Sequence, residues 1–549
     1  MRWLFFLIFI NSLSAQKEDH QWIFNGHQYD DVSDEPRAGA SVIDFNTLPP
    51  RAYRNEAITL DFQETNSFYA DENGQLLLYT NGQAVYGANH KAITNGDTIN
   101  YGRIWDIWTW KNEHDEVSSV GFRIEQGISI IPIDLDATNF MVLYKNADNG
   151  SVVNDPLDLW MARIVKTSSE DFIVTQKDSV LLTNIFLSGD VHACRHGNGR
   201  DWWMLQFSDN TVYAFLIDDQ GIQLDHEQIL PQALRPGFSF SNYSSDGSKF
   251  ALSVETENDT NDGIDLLVAD FDRCSGELTN PIIFKQSSDD TAFGGGVEFS
   301  PDGKLLYTTT ALNIFQFDLQ ADDILASKIS VGEYDYSSIC ELTGFELFFG
   351  RSSLAPDNKI YVGTNSQCFN LSVINHPNQR GRECEFQHNV VKKPTFTRNE
   401  PPNTNTWRLG PLDGSSCDTL GLDNNPVSRF WYEQDSSDFL TVQFWDVSYF
   451  LPESWSWTFV DGNNSSEQEP MHSYSEKGIY EACLTVSNEN SSHTSCQELN
   501  FGISSTSEDL FSPDISIYPN PTDDFVRITF HDYLPQSASI SYYLSLIHI

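Results

Sequence analysis

The chain of 549 residues carries 32 Lys and Arg against 78 Asp and Glu, a formal net charge of −46, and is 40% hydrophobic and 13% aromatic. That apolar mass suffices for packed cores and excludes a disordered chain, and the acidity excludes nucleic acid and anionic membrane surfaces as partners. The carboxylate excess suits a solvated exterior; no cofactor is expected, and Ca²⁺, taken weakly, is the one ion such a surface calls for.

In chain order, the first feature is MRWLFFLIFINSLSAQ, with Arg2 ahead of the apolar run Trp3 to Ile10 and small or polar residues to Ala15. This reads as a signal peptide over 1–15. The run is too short to span a bilayer, and no later stretch reaches the ~20 apolar residues of a transmembrane helix. The expected location is therefore the cell surface or the medium, reached through the periplasm. Eight cysteines, an even count, suit disulfides in that setting, and none forms a CxxC zinc pair.

From Gln21 to Leu409 the chain repeats. DENGQLLLYT from Asp71, SSDGSKFALS from Ser244, SPDGKLLYTT from Ser300 and APDNKIYVGT from Ala355 each place an Asp/Asn-Gly-like turn before an apolar strand. Looser copies begin at Asp136 and Gly197. With Gly74, Ala137, Gly199, Gly247, Gly303 and Asn358 as turn markers, the mean spacing is about 57 residues. Further apolar strands, such as LDLWMARIV and GIDLLVADFD, complete units of about four antiparallel strands. The expected fold is all-β: a β-propeller over 21–409 with seven blades, six being the alternative. Its first blade would draw strands from QWIFNG and from NTWRL near residue 407, closing the ring.

ADENGQLLLYTNG, NHKAITNG, HGNGRDWWML, FSPDGKLLY and SVINHPNQRGREC together resemble the WD-type propeller regions of large surface proteins exported by the type IX secretion system. The resemblance implies the fold. It does not imply one function, since propellers host binding, hydrolysis and lyase chemistry alike.

A Pro, Asn and Gly rich stretch leads out of the propeller, and 410–425 reads as a linker. Over 426–502, strands such as FLTVQFWDVS and ACLTVSN alternate apolar and polar residues, as in a small β-sandwich. WSWTFVDG, Trp455 to Gly462, followed by Pro470, His472, Tyr474, Gly478 and Tyr480, resembles the immunoglobulin-like PKD domain, with Val460 where that family usually has glycine. Cys483 and Cys496, on neighbouring strands, would close a 14-residue loop. By loop entropy that is worth about 3 kcal/mol. Cys368 and Cys384 are the next pair expected.

After a Ser-rich linker at 503–512, ISIYPNPTDDFVRITF resembles the start of the C-terminal sorting domain read by the type IX machinery, on Tyr518, Pro519, Asn520 and Pro521 followed by an alternating strand. A partial β-sandwich sorting domain is therefore expected over 513–549. The terminal LSLIHI falls where its later strands should continue, and the expectation is a truncated gene model.

No HExxH, GxSxG, P-loop or GxGxxG occurs. The densest set of reactive side chains, around His192 and Cys194, includes His196, Arg200 and Asp201, which are carried as binding candidates; the bland reading is that they hydrogen-bond between blades. Trp105, Trp108 and Trp110 in YGRIWDIWTWKNEHDE are a second candidate set, as a stacking platform or as packing beneath a loop. The turn aspartates Asp246, Asp302 and Asp357 resemble the Asp-boxes of sialidases without their downstream Thr-Trp. The expected function is an exported binding protein, the propeller engaging an extracellular protein or glycan and the sandwich serving as spacer or auxiliary binder. The alternative is a secreted hydrolase or lyase acting on an extracellular polymer.

Overall fold

The computed structural model describes residues 17–501 other than 26–39, 63, 103–104, 107–108, 112–116, 120, 123, 147–156, 169–170, 256–262, 287–294, 336–337, 365, 399 and 436; for 109–111, 117–119, 398, 515–518 and 527–530 it describes the backbone alone. The signal peptide and Trp108 thus lie outside the described residues, as do Pro519, Asn520 and Pro521.

The repeat becomes a ring of seven sheets. Blade 1 is Gln21–Phe24, Ala40–Asp44 and Arg51–Asn55; blade 2 is Ser67–Ala70, Leu76–Thr80 and Val85–Gly87. Five four-stranded blades follow, opening with the inner strands Ile128–Pro132, Ala193–Arg195, Phe238–Tyr243, Gly296–Phe299 and Phe349–Leu354. All six turn markers adopt the left-handed conformation, Gly74 at φ +73° and Asn358 at φ +60° among them. Each sits in the turn leaving an inner strand, so all these turns crowd one face of the ring. The tight hairpin selects residues that tolerate positive φ, and the spacing in sequence follows from the blade.

Apolar faces of adjacent blades bury one another, and polar side chains stitch the seams. Trp202 Nε1 donates to Pro132 O and Trp203 Nε1 to Arg273 O, each at 2.9 Å, tying blade 4 to blades 3 and 5. Tyr307 OH reaches Pro377 O at 2.7 Å, between blades 6 and 7. Blade 1 closes the ring, its Trp22 and Phe45 packing edge-on against Tyr361 of blade 7.

NTWRL does not pair with QWIF. Residues 400–409 instead run along the ring axis, parallel to inner strands, with bridges Ser67 to Asn403 and Cys194 to Thr406. The reason lies in the asparagines. Asn403 Nδ2 donates to Ile128 O at 2.6 Å and Val191 O at 2.8 Å, while Asn405 Nδ2 donates to Ile130 O at 3.1 Å and its Oδ1 accepts from Ala193 N at 3.0 Å. Inner-strand backbone groups, otherwise unpaired toward the channel, are satisfied by this plug.

Three disulfides form. Cys483 and Cys496 face each other across one ladder, as expected. Cys368 pairs with Cys340, not with Cys384, which is free and buried. Cys384 ends a short helical turn, Gly381–Cys384, packed into the core between blades 6 and 7, whereas Cys368 shares a separate cluster with Cys340, Leu347 and Phe396. Cys274 to Cys417 staples the segment leaving the channel onto the turn face.

The C-terminal sandwich packs Phe430–Gln434, Thr441–Asp446 and Met471–Ser473 against a second sheet holding Ser454–Thr458, Ile479–Ser487 and Ser492–Asn500. Trp457, Phe444 and Phe430 form its centre. Beyond it, Ile515–Tyr518 pairs antiparallel with Arg527–Phe530.

Candidate functional site

The sandwich sits on the turn face of the propeller. Arg429 Nη1 donates to Pro356 O at 3.2 Å and Tyr449 OH at 2.5 Å, and Nη2 to Phe45 O. His20 Nε2 bonds Tyr449 OH at 2.7 Å. The His376 ring stacks on Trp445 at 4.6 Å, and Lys359 Nζ lies 4.3 Å over Trp431. This contact leaves a cavity of about 530 Å³ between the two bodies.

Its inner end is made by His192, Asn242, Glu298 and the plug residues Asn405 and Thr406; its mouth by Asp302, Asn358, Asn378 and Gln379 of the propeller and by Trp455, Gln468 and Glu469 of the sandwich. The mouth combines one half-exposed indole with amides and carboxylates. Trp455 is held by its Nε1 donating to Asp446 Oδ2 at 2.7 Å, and Gln468 Nε2 donates to the same oxygen at 3.1 Å. Asp302 accepts from Lys304 Nζ at 2.9 Å, and its backbone N–H binds Asn378 Oδ1 at 3.0 Å.

The residues singled out from sequence lie elsewhere. His196 accepts from Asn198 N at its Nδ1, 3.0 Å, and its Nε2 meets Cys274 O at 3.2 Å. Arg200 Nε donates to Asp201 Oδ1 at 2.7 Å and its Nη1 to Asp219 Oδ2 at 3.0 Å, while Asn198 Nδ2 takes the other Asp201 oxygen at 2.6 Å. These bonds shape a turn and join blade 4 to blade 5; none of the three residues lines the cavity. Trp105 is half-buried against Phe122, Ile124 and Leu157, away from the cavity, and Trp110 pairs with Ser118 in a two-stranded hairpin. Among the described residues the one compact His/Cys/Asp/Glu group is Glu481, Cys483 and Cys496, whose cysteines are already bonded to each other.

The PKD family model matches residues 438–503. The PKD1 domain of the Vibrio cholerae metalloprotease PrtV is 30% identical to this chain over 14% of this chain and 94% of its own, with a TM-score of 0.13. The sandwich is a PKD domain. A candidate 6-phosphogluconolactonase from Bacteroides uniformis is 12% identical over 70% of this chain and 98% of its own, TM-score 0.40. The periplasmic gluconolactonase of Pseudomonas aeruginosa is 12% identical over 70% and 97%, TM-score 0.38. At this identity the likeness concerns the fold alone. No curated protein matches the chain. No described helix is long and apolar enough to cross a membrane. The PKD domain and the disulfides fit a multidomain extracellular protein.

The PKD domain thus supplies one wall of the cavity, and the cavity's acids are perturbed. Burial pushes Glu298 up to about 8, although its oxygens accept from Leu354 N at 2.8 Å and Phe299 N at 2.9 Å. Burial, then the neighbouring Asp446 and Asp302, pushes Glu469 up to about 7. Burial also raises Asp446. His192 is pushed down to about 3 by burial and by the Arg351 guanidinium, so its ring is neutral. A carboxylate at Glu298, between Val297 and Phe299 on an otherwise apolar strand, was a visible signal in the sequence. Trp455 and Glu469 gave none, because their role exists only once the PKD domain docks.

Proposed function

We propose that this protein is an extracellular glycan-binding protein whose ligand lies in the cavity between the propeller turn face and the PKD domain. The observation that carries this is the mouth, lined by the Trp455 indole, fixed by Asp446, together with the amides of Asn358, Asn378 and Gln379. A flat aromatic face suits the C–H face of a sugar, and amide–carboxylate forks suit its hydroxyls. The PKD domain is then part of the binding site rather than a spacer. Export of the chain by an N-terminal signal, and reading of the segment around Tyr518 by type IX machinery, are the expectations that accompany this reading.

A second reading, hydrolysis of the bound polymer, is favoured by Glu298 and Glu469, two carboxyl groups raised into the neutral range at one cavity, as a general acid requires. A glycan and peptide array probed with the full chain tests both. Glycan retention lost in Trp455→Ala supports binding; retention of peptides alone would contradict it. Release of shortened sugars, abolished by Glu469→Gln, would establish the hydrolase instead.

A further inference from the structure

A second opening lies at the seam that closes the ring, and it shares no lining residue with the cavity under the PKD domain. The last strand of blade 7, Phe386–Arg398, leaves its ladder there. Cys368 and Asn370, two residues apart, pair with Thr397 and Lys392, five apart, so the outer strand carries three extra residues in a bulge. The bulge is drawn toward blade 1. Thr395 N donates to Ser41 Oγ at 3.2 Å, and Lys393 Nζ lies 4.6 Å over the Phe24 ring and donates to Thr397 Oγ1 at 2.7 Å. Pro394, without an N–H, stands where no ladder bond is made. The space left beside the ladder is a cleft of about 500 Å³, within the roughly 300–1,000 Å³ range of ligand sites.

The facing wall is the loop between blades 6 and 7, and it is built in. Cys340 is bonded to Cys368 at the base of the cleft, Ser338 Oγ meets His388 Nδ1 at 3.2 Å, and Leu347 N donates to Ser338 O at 3.2 Å. The cleft is thus formed before any ligand arrives, which spares the ordering cost of binding.

Three kinds of surface meet in it. Lys392 on the outer strand and Glu341 on the loop are exposed, and neither takes part in an ion pair or a side-chain hydrogen bond among the described residues. Ile339, 53% exposed, and Pro394 give the two walls apolar area, continued at the base by Leu347 and Phe369. The amides of Asn370 and Asn389 complete the lining. The other cations nearby are spoken for: Lys393 turns its amine into the seam, and Arg54, on the Ala52 face of blade 1, lies 3.7 Å from Glu56. The cleft therefore presents one open charge of each sign on separate walls. A simple anion meets Glu341, a simple cation meets Lys392, and a neutral sugar answers neither. A zwitterion answers both, and apolar walls with amides between the charges suit a peptide backbone carrying an apolar side chain.

We propose that this cleft is a second binding site, which takes a short apolar peptide by its two ends, the terminal carboxylate at Lys392 and the terminal ammonium at Glu341, with the side chain between Ile339 and Pro394.

Titration calorimetry on the full chain tests this with two tripeptides, Ala-Leu-Ala and Ala-Phe-Ala. With both ends free they are expected to bind saturably; the N-acetylated and the C-amidated forms are expected to bind at least tenfold more weakly. Lys392→Ala is expected to weaken the free peptides at least tenfold and to make no further difference to the amidated form, and Glu341→Gln to do the same for the free and the acetylated forms. Both side chains are exposed, so the variants are expected to keep the wild-type melting temperature. Equal binding of free and capped forms, or free-peptide binding that neither variant weakens, overturns the assignment of the two ends. No saturable binding of either free tripeptide into the millimolar range overturns the site. Glycan retention is a separate outcome, because the two openings have no residue in common.

Discussion

Trp455 Nε1 donates to Asp446 Oδ2 at 2.7 Å, so the one half-exposed indole at the cavity mouth is oriented by a carboxylate on a different sheet of its own domain. Asp446 is itself built in, with Ser448 N at 3.1 Å on its other oxygen. Trp455→Ala is expected to reduce glycan affinity at least tenfold while changing the melting temperature by only a few degrees, as about 1 kcal/mol of lost packing would. Asp446→Ala is expected to lose affinity similarly and also to destabilise the PKD domain, by about 1–3 kcal/mol, because Trp455 and Gln468 lose their acceptor. Titration calorimetry beside differential scanning calorimetry separates the two effects.

Glu298 and Glu469 make stability depend on pH. Each has a folded-state pKa above its unfolded value of 4.5, about 8 for Glu298 and about 7 for Glu469. Between those values the folded state holds more protons than the unfolded state. The part of the stability that these two groups govern is therefore full below about pH 4.5 and declines as pH rises toward 8. Glu298→Gln removes the ionisation and keeps one of the two accepting oxygens, so that one of the N–H groups of Leu354 and Phe299 loses its partner, a cost that does not vary with pH. Its melting temperature relative to wild type should rise by several degrees from pH 5 to pH 8; a constant difference would show that Glu298 does not resist ionisation.

Most of the scaffold was legible in the sequence because it is local. A turn that needs positive φ declares itself through Gly74, Gly247 or Asn358, and the ladder Cys483 to Cys496 follows from two strands joined by a short turn. The candidate site is not local. Glu298, Arg408, Trp455 and Glu469 come from a blade, the plug and the PKD domain, and meet only through packing no spacing encodes. The same limit explains Cys368: its partner was set by the approach of the loop carrying Cys340, not by nearness to Cys384. His196, Arg200 and Asp201 were conspicuous as a cluster of reactive types, yet their groups satisfy one another within a turn.

Val460 stands where the PKD family usually has glycine, and it adopts φ +60° with its side chain 64% exposed. A β-branched residue in the left-handed region is strained. Val460→Gly is expected to stabilise the PKD domain by about 1 kcal/mol, the relief of strain exceeding the added freedom of the unfolded chain. Denaturant unfolding of the variant checks this, and a loss of stability would contradict it.

Reduction of Cys483–Cys496 releases a loop of sequence separation 13. With the thiols alkylated, the PKD transition is expected to fall by about 3 kcal/mol. Reduction also opens Cys274–Cys417 and Cys340–Cys368, so a Cys483→Ala, Cys496→Ala variant, whose propeller bridges stay intact, isolates the effect, and in calorimetry its PKD transition should separate from that of the propeller. An unchanged transition would show that the bridge does not constrain the unfolded chain.

The plug should act as a structural strand. Asn405→Ala removes the one acceptor shared by Ser129 and Ala193 and the donor to Ile130 O, and is expected to destabilise the propeller by roughly 2–4 kcal/mol. Hydrogen exchange should report loss of protection at Ala193 N first; full protection there would contradict the plug's role.

The position of a bound ligand decides whether the cavity is the binding site. A crystal structure of the full chain with a retained oligosaccharide is predicted to show a sugar ring against Trp455 and hydrogen bonds to Asn358 or Asn378. Density for the sugar on the outer strands of the blades, with the cavity holding only water, would contradict it.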